Sequence, residues 1–566
     1  VIKRRFRILI FLFSFFFAVV FFRALLLQVF PTKRLQSFAR IKNNKKLTIA
    51  GRRGTIFDRK GKILAMSEDT FSIYVDPKYI KNTSKLLRKI ASFDGSLNIR
   101  KLEKKIKRAK KNNRRFLWIK RQLNEAQRKN FFKVALNSID GVYTLKEFKR
   151  IYPYQRTASH VLGFVGLDGK GLAGVEASLD KHLQNRNIIY EVERDARGRN
   201  LYKELDAISL KRKFNNDVEL TIDVNVQYLV EKYLKEHIEK NQAQSGLVLV
   251  ADARSGELLA MANFPDYNPN YGSKASPSSR RNLSISNPIE PGSVVKSFVV
   301  AQALEDRLMN ENSNIKINKG ELQYKHRKIY DSHSHLKKFN YIKLKELLKY
   351  SSNVATIKVA EKIGLKKLLK VYDEVGYNKK VSVALRGESK GLFRAPASSD
   401  GYKQMALSFG HGLAVTPLQV LRSYTVFTND GKLLPIKLVN KPNVLTEQKV
   451  KEVFTKKTAR RMQKLLNQVS LGDGTAAKAR LPYFSVAGKT GTSQKYDAEL
   501  GRYSHKKFRA SFVGFVPAKQ SRFLMYVMLD EPMKDGHSGS QVAAPLFAKI
   551  AKELVRFVGS GPVLAR

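Results

Sequence analysis

The chain contains no cysteine. That excludes a disulfide framework and any thiolate metal site. The fold then forms without oxidation, which is compatible with a location outside a membrane. Acidic residues are scarce: 48 Asp and Glu stand against 106 Lys and Arg, a formal net charge of +58 over 566 residues. Such a charge favours contact with anionic surfaces. No nucleic-acid-binding motif accompanies it, so nucleic acid is not an expected partner. Anionic lipid headgroups and wall polymers are the expected ones, with lysine filling solvated faces as the plainer explanation. Histidine numbers only nine. His333 and His335, with His326 as the nearby third, are too few for a tetrahedral metal site. A surface hairpin is the expected setting there, and neither a metal nor a cofactor is expected. No internal repeat is visible.

One long apolar run is present. Ile8 to Phe22 is apolar and aromatic, interrupted only by Ser14; Arg23 breaks it, and Ala24 to Phe30 resumes it. Counted through Leu27, the run reaches the roughly 20 residues of a spanning helix. Arg23 can extend its charge to the headgroups. Lys3, Arg4, Arg5 and Arg7 precede the run, but Lys33 and Arg34 follow it, so charge asymmetry orients it weakly. No small-residue cleavage site follows, which makes an uncleaved anchor the expectation.

Beyond the anchor, residues 51–80 alternate as strands do. From Ser84 to Glu125, Leu86, Leu87, Ile90, Leu97, Ile99 and Leu102 recur at helical spacing among lysines. This predicts solvated helices packed on one face, with an anionic-polymer groove as the sharper alternative. Residues 140–215 add short strands and a turn at Gly171–Glu176, and a boundary falls near Phe214-Asn215-Asn216. Val226 to Ile238 reads as a helix. Gly246 to Ala262 reads as a hairpin turning at Asp252–Gly256. Residues 264–290 form a Pro/Ser/Asn-rich loop. Helices fill much of 293–426, and the one from Leu344 to Ile363 is broken by a turn at Ser351-Ser352-Asn353. Strands return at 484–493 and 509–530, and a helix closes the chain from Pro545 to Val558.

Three short motifs carry chemistry: Ser293-Val294-Val295-Lys296, Ser351-Ser352-Asn353 and Lys489-Thr490-Gly491-Thr492. A serine hydroxyl is a weak nucleophile and needs a base. If Ser293 opens a helix, Lys296 lies one turn along on the same face. That lysine must be neutral to take a proton, so the site should be enclosed and positive. A helix start also offers free N–H groups to a developing oxyanion. Ser351 can pass a proton to a leaving amine, and Asn353 can hold the substrate amide or the lysine. Gly491 leaves room for a substrate backbone. Thr492 can offer its N–H to the oxyanion and its hydroxyl to a carboxylate, for which Lys489 supplies charge. Ser-x-x-Lys alone is uninformative, recurring at Ser178, Ser313, Ser334 and Ser504, and Ser-x-Asn recurs at Ser96. Lys-Thr-Gly occurs once, and the order and flanks of the three motifs decide.

With those flanks the chain resembles the class B penicillin-binding proteins, the monofunctional peptidoglycan transpeptidases. Arg52-Arg53-Gly54-Thr55-Ile56-Phe57-Asp58-Arg59, Arg150-Ile151-Tyr152-Pro153, His160–Gly166 and Gly171–Glu176 resemble the family's N-terminal motifs. Asp252–Ala262, Glu290-Pro291-Gly292, Phe409–Gly412, Thr416–Gln419, Ala510–Pro517 and Ala543-Ala544-Pro545 resemble those of its catalytic domain. Gly387–Leu392 and Met261-Ala262-Asn263 are most similar to the septal branch, with the elongation branch as the near rival. Two positions depart from the usual pattern: Val294 stands where Ser or Thr is common, and His411 where Tyr or Gln is.

The resemblance implies a multidomain α+β fold. Residues 1–30 would be a cytoplasmic stub and transmembrane helix and 31–50 a juxtamembrane linker. An elongated, non-catalytic α/β pedestal would occupy 51–215. Residues 216–558 would form a serine β-lactamase-like transpeptidase domain, an antiparallel sheet flanked by helices, and 559–566 a tail. It implies Ser293 as nucleophile, Lys296 as general base, Ser351 as proton relay, and Asn353 and Lys489 as catalytic partners. Thr490, Gly491 and Thr492 would bind substrate, and Ser293 and Thr492 would form the oxyanion hole. The implied activity is stem-peptide crosslinking at the inner membrane, on its outer side, inhibited covalently by β-lactams. A glycosyltransferase and division proteins would be partners. The other readings are a carboxypeptidase or β-lactamase, and a non-catalytic penicillin-binding scaffold or sensor.

Overall fold

The computed structural model describes residues 2–29, 46–49, 51–185, 188–194, 200–204, 216–324, 327–393, 401–440, 449–497, 499 and 501–557. The expectations for the linker ahead of Lys46, for Phe214, Asn215 and His326, and for the tail 559–566 lie outside those residues. The apolar run is a single helix, Ile2–Val29, and Arg4–Leu26 is long and apolar enough to cross a membrane.

The rest of the chain forms two compact units. In the first, which includes Asp69–Lys149, strand Leu117–Lys120 pairs antiparallel with the end of strand Ile63–Val75. Helices Thr83–Phe93, Ile99–Lys111 and Glu125–Lys133 accompany these strands. Each starts at an asparagine, Asn82, Asn98 or Asn124, whose side chain accepts a backbone N–H of the first turn and so satisfies an otherwise unpaired donor. Their apolar stripes, Leu86, Ile90 and Phe93 on one and Leu102 and Ile106 on the next, bury a small core with Ile73 and Phe131. The helical expectation for Ser84–Glu125 is corrected at Leu117–Lys120. There Trp118 and Ile119 have the aromatic and β-branched shapes that pack on a pleated surface.

The second unit contains Arg53–Glu68, Arg150–Gln184 and the chain from Asn215 onward. Glu176, fully buried, binds its first two segments together: its carboxylate accepts from Arg53 Nε at 2.9 Å and Arg150 Nε at 2.6 Å. Two cations around one acid offset its desolvation. Glu176 lies in a one-turn helix, Gly174–Ser178, so the turn expected at Gly171–Glu176 gives way to a helix midway.

The central sheet of this unit has five antiparallel strands: β1 (Ser245–Asp252), β2 (Leu258–Phe264), β3 (Ala487–Asp497), β4 (Arg502–Val516) and β5 (Phe523–Asp530), in the order β2-β1-β5-β4-β3. Every residue of β5 is buried, as suits a central strand covered on both faces. Helices α1 (Val224–Asn241) and α5 (Ala544–Phe557) pack together against the sheet. Between β2 and β3 lie α2 (Lys296–Glu305), α3 (Leu344–Tyr350) and α4 (Asn353–Ile363). The expected hairpin, the broken helix and the closing helix are all present. Two expectations are corrected. Residues 264–290 hold one-turn helices, Pro277–Arg280 and Leu283–Ser286, nucleated by side-chain caps at Ser276 and Asn282. Within 293–426, residues 314–316 pair with 341–343 and 321–324 with 327–330 in two antiparallel ladders, because these short stretches lack a helical apolar period.

Candidate active site

Ser293 sits in a single 3-10 turn, Gly292–Val295, and α2 begins only at Lys296. The expected helix start is therefore tighter than α-helical. The Lys296 N–H donates to Ser293 O, closing that turn. Glycine is required before the nucleophile: Gly292 has φ +58°, and its N–H donates to Gly410 O at 3.2 Å. Behind the turn, Tyr424 donates to Val294 O at 2.7 Å and shares a 2.8 Å hydrogen bond with Ser297 Oγ. The turn is thus held from beneath while Ser293 stays half-buried.

Lys296 is fully buried. Its Nζ donates to Ser351 O at 2.7 Å and Asn353 Oδ1 at 2.7 Å, and lies 3.3 Å from Ser351 Oγ. Burial brings its pKa down to about 7, against a smaller opposing pull from Asp331. A neutral amine has two N–H donors and one lone pair. The two 2.7 Å bonds use both donors and leave the lone pair for an incoming proton.

Ser351 ends α3 in the left-handed conformation, φ +57°, and Ser352 caps α4 by accepting the Ala355 N–H. This turn points Ser351 between two amines, since Lys489 Nζ also donates to its Oγ at 2.9 Å. Lys489, fully buried on β3, further donates to Thr490 O and Oγ1 at 3.2 and 3.3 Å. Burial first, and the neighbouring Lys296 second, hold it well below the ordinary lysine range. Two cations cannot share one hydroxyl in a dry site cheaply, so proton-accepting capacity is built in.

β3 is an edge strand, so one row of its backbone N–H and C=O groups is free of ladder partners. Gly491 makes close approach possible there: a Cβ would come within 2.4 Å of Ser511 Oγ and 3.1 Å of both Pro291 O and Val294 Cγ1. The apolar Val294 therefore packs against the strand. Thr492 Oγ1 accepts the Gly539 N–H at 3.1 Å. All eight residues singled out from the sequence thus lie on three elements around Ser351: the 3-10 turn leading into α2, the α3–α4 turn, and β3.

Two carboxylates outside the three motifs hold the site in place. Asp331, buried, accepts from Ser352 Oγ at 2.7 Å, from Val354 N–H at 3.1 Å and from the Asn353 N–H. It clamps the turn that carries Ser351 and Asn353. Glu290 accepts from the Gly412 N–H at 3.0 Å and from Tyr503 OH at 2.8 Å, and its other oxygen lies 3.6 Å from His411 Nδ1. Burial pushes His411 below its ordinary pKa; Glu290 opposes this and Lys296 adds to it. Glu290 was visible as the residue before Pro291-Gly292, but nothing local pointed to Asp331 or Tyr503. Among the described residues no cluster of three or more His, Cys, Asp or Glu could hold a metal ion.

Two family models match the chain: the penicillin-binding protein transpeptidase domain over residues 246–552 and the penicillin-binding protein dimerisation domain over 48–220. The probable peptidoglycan D,D-transpeptidase PenA of Neisseria meningitidis (serogroup A, strain Z2491) is 35% identical over 91% of this chain and 86% of its own. The peptidoglycan D,D-transpeptidase FtsI of Escherichia coli K12 is 31% identical over 90% and 84%. Among solved structures, the transpeptidase domain of Burkholderia pseudomallei penicillin-binding protein 3 superposes with a TM-score of 0.54 at 30% identity, over 61% of this chain and 98% of that one. A peptidoglycan synthetase from Bifidobacterium adolescentis shares the fold, with a TM-score of 0.69 at 21% identity over 92% and 98%. The chain belongs to the class B penicillin-binding proteins. It is a peptidoglycan D,D-transpeptidase, a serine-type acyltransferase of the kind β-lactams target.

Proposed function

We propose that Ser293 forms the acyl-enzyme, with the roles of its neighbours following from the hydrogen bonds of Lys296. That lysine is the observation that carries the reading: it is buried, its pKa is about 7, and both its amine donors are engaged. Its lone pair takes the Ser293 proton as Oγ attacks the carbonyl of the penultimate D-Ala. The N–H groups of Ser293 and Thr492 hold the resulting oxyanion. The tetrahedral intermediate collapses, the peptide C–N bond breaks, and the proton passes from Lys296 through Ser351 to the departing D-Ala amine. A stem-peptide amine then attacks the ester and gives its proton back along the same path. A new amide forms and Ser293 is released. Lys489, Thr490 and Thr492 take the terminal carboxylate, while Gly491 lets the peptide lie along the open edge of β3 as an added strand. β-Lactams would enter by the same route and stop at the acyl-enzyme.

Residues 1–30 would anchor the chain in the inner membrane with the catalytic domain outside, and 31–50 would link anchor to pedestal. Residues 51–215 would position the transpeptidase domain, 216–558, for a glycosyltransferase and division partners, with 559–566 a tail. The septal role is supported by relatives named FtsI and by Gly387–Leu392. Depletion in living cells tests it: filaments support the septal role, and rounded cells would assign the chain to elongation. Mixing the purified protein with a D-Ala-D-Ala donor and an amine acceptor tests the reaction. Crosslinked product with D-Ala released in equal amount is expected; D-Ala without crosslinking would make it a hydrolase.

A further inference from the structure

The segment Thr83–Lys133 holds eighteen Lys and Arg against three Asp and Glu. Under a tenth of the chain thus carries about a quarter of its net charge. Each of the three acids is already paired within the segment: Asp94 with Lys120, Glu103 with Lys107 and Glu125 with Arg128. Of the excess cations, Arg115 and Arg121 are paired with Asp76 and Glu147 outside the segment. On helix Ile99–Lys111 the excess is one-sided: Leu102, Ile106 and Ala109 are buried, and Lys101, Lys104, Lys105, Arg108 and Lys111 occupy the opposite arc, exposed. None of these five has an acidic partner among the described residues. Like charges at i, i+3 and i+4 destabilise an isolated helix. Here the buried stripe and the Asn98 cap hold the helix against that repulsion. Only nineteen residues lie between Leu26, at the end of the apolar span, and Lys46, where strand Lys46–Ile49 begins. Fully extended they reach at most about 70 Å, so this face is confined near a bilayer at high effective concentration.

We infer that the cationic face of helix Ile99–Lys111 docks on the anionic phospholipid surface of the membrane that the N-terminal helix spans. Each cation near such a surface strengthens attraction by roughly fivefold, and the attraction falls off within a Debye length. Several together make docking the resting state of a tethered domain, and salt releases it.

The absence of cysteine makes the test clean. Lys104→Cys, carrying a fluorophore, is the only labelled position in the full chain. The chain is reconstituted in neutral phosphatidylcholine vesicles and in vesicles with about 30% phosphatidylglycerol, each bearing headgroup quenchers; that anionic fraction sets the surface potential. Co-flotation with both vesicles reports the anchor; quenching reports the face. The expected result is quenching in the anionic vesicles alone, lost at about 1 M salt, where the Debye length is about 3 Å. It should fall at least about tenfold when Lys101→Glu, Lys105→Glu and Arg108→Glu are combined, while the far-UV circular dichroism and melting temperature stay unchanged and show the variant folded. A label at Lys370→Cys, exposed on the other unit, should be unaffected by lipid charge. Equal quenching in both vesicles, or none, would overturn the inference. So would a response only to added poly(glycerol phosphate), which would assign the face to a wall polymer.

Discussion

Lysine means opposite things in the two compact units. On helix Ile99–Lys111, Lys101, Lys104, Lys105 and Lys111 are exposed and without an acidic partner among the described residues, and the helix tolerates them because the opposite face is buried. In the transpeptidase unit Lys296 and Lys489 are fully buried around one serine hydroxyl, and burial drives their pKa values down. Function follows from the surroundings rather than from the residue type: the same side chain is a solvated ammonium in one place and a neutral amine, a base, in the other.

Substitutions sharpen that contrast. Lys296→Ala should slow acylation by labelled penicillin roughly 10²–10⁴-fold, the range for losing a general base, as stopped-flow or quenched-flow acylation would read. Acylation by the unaltered enzyme should rise with pH, because the neutral form of Lys296 is the reactive one. With a pKa of about 7, the rate at pH 6 should be about a tenth of that at pH 8; a flat profile would break the comparison. The same depressed pKa makes a stability statement. Between about 7 and the unfolded value of 10.5 the unfolded chain binds more protons, so stability should rise with pH across that window, by on the order of 5 kcal/mol for Lys296. Lys296→Ala should remove that part of the rise in thermal melts.

Smaller effects come next. Asp331→Asn weakens the acceptor for Ser352, Asn353 and Val354 and should cost about 3 kcal/mol, the worth of charge-assisted bonds lost in a buried site. It also removes the pull that raises the Lys296 pKa, so the rising limb of the acylation profile should move to lower pH. A merely structural Asp331 would leave that limb in place. Gly491→Ala forces a methyl toward Ser511, Pro291 and Val294 and should cost about 1–3 kcal/mol by overpacking, with slower acylation. Lys105→Glu, at the far end of the scale, should change melting by less than about 0.5 kcal/mol and acylation not at all.

The sequence was most legible where a local rule decides. The turn at Ser351-Ser352-Asn353 interrupts an apolar period, and the chain breaks there into α3 and α4. The hairpin of β1 and β2 follows from two apolar runs around Asp252–Gly256. Strand Leu117–Lys120 was hidden because four residues among lysines have no period to read, and their partner strand decides them. Asp331 was hidden for a similar reason. It precedes Ser351 by twenty residues, on a loop beyond a two-strand ladder, and only the folded chain brings its carboxylate to Ser352. Pattern shows faces and breaks; it does not show which distant acid closes on a turn.

Intact-protein mass spectrometry after a labelled penicillin, with Ser293→Ala beside the unaltered chain, reads the acyl-enzyme itself. The expected result is one adduct, slow to hydrolyse, absent from Ser293→Ala although that variant melts normally. An adduct that persists in Ser293→Ala, or none in the unaltered chain, would contradict the acyl-enzyme assigned to Ser293.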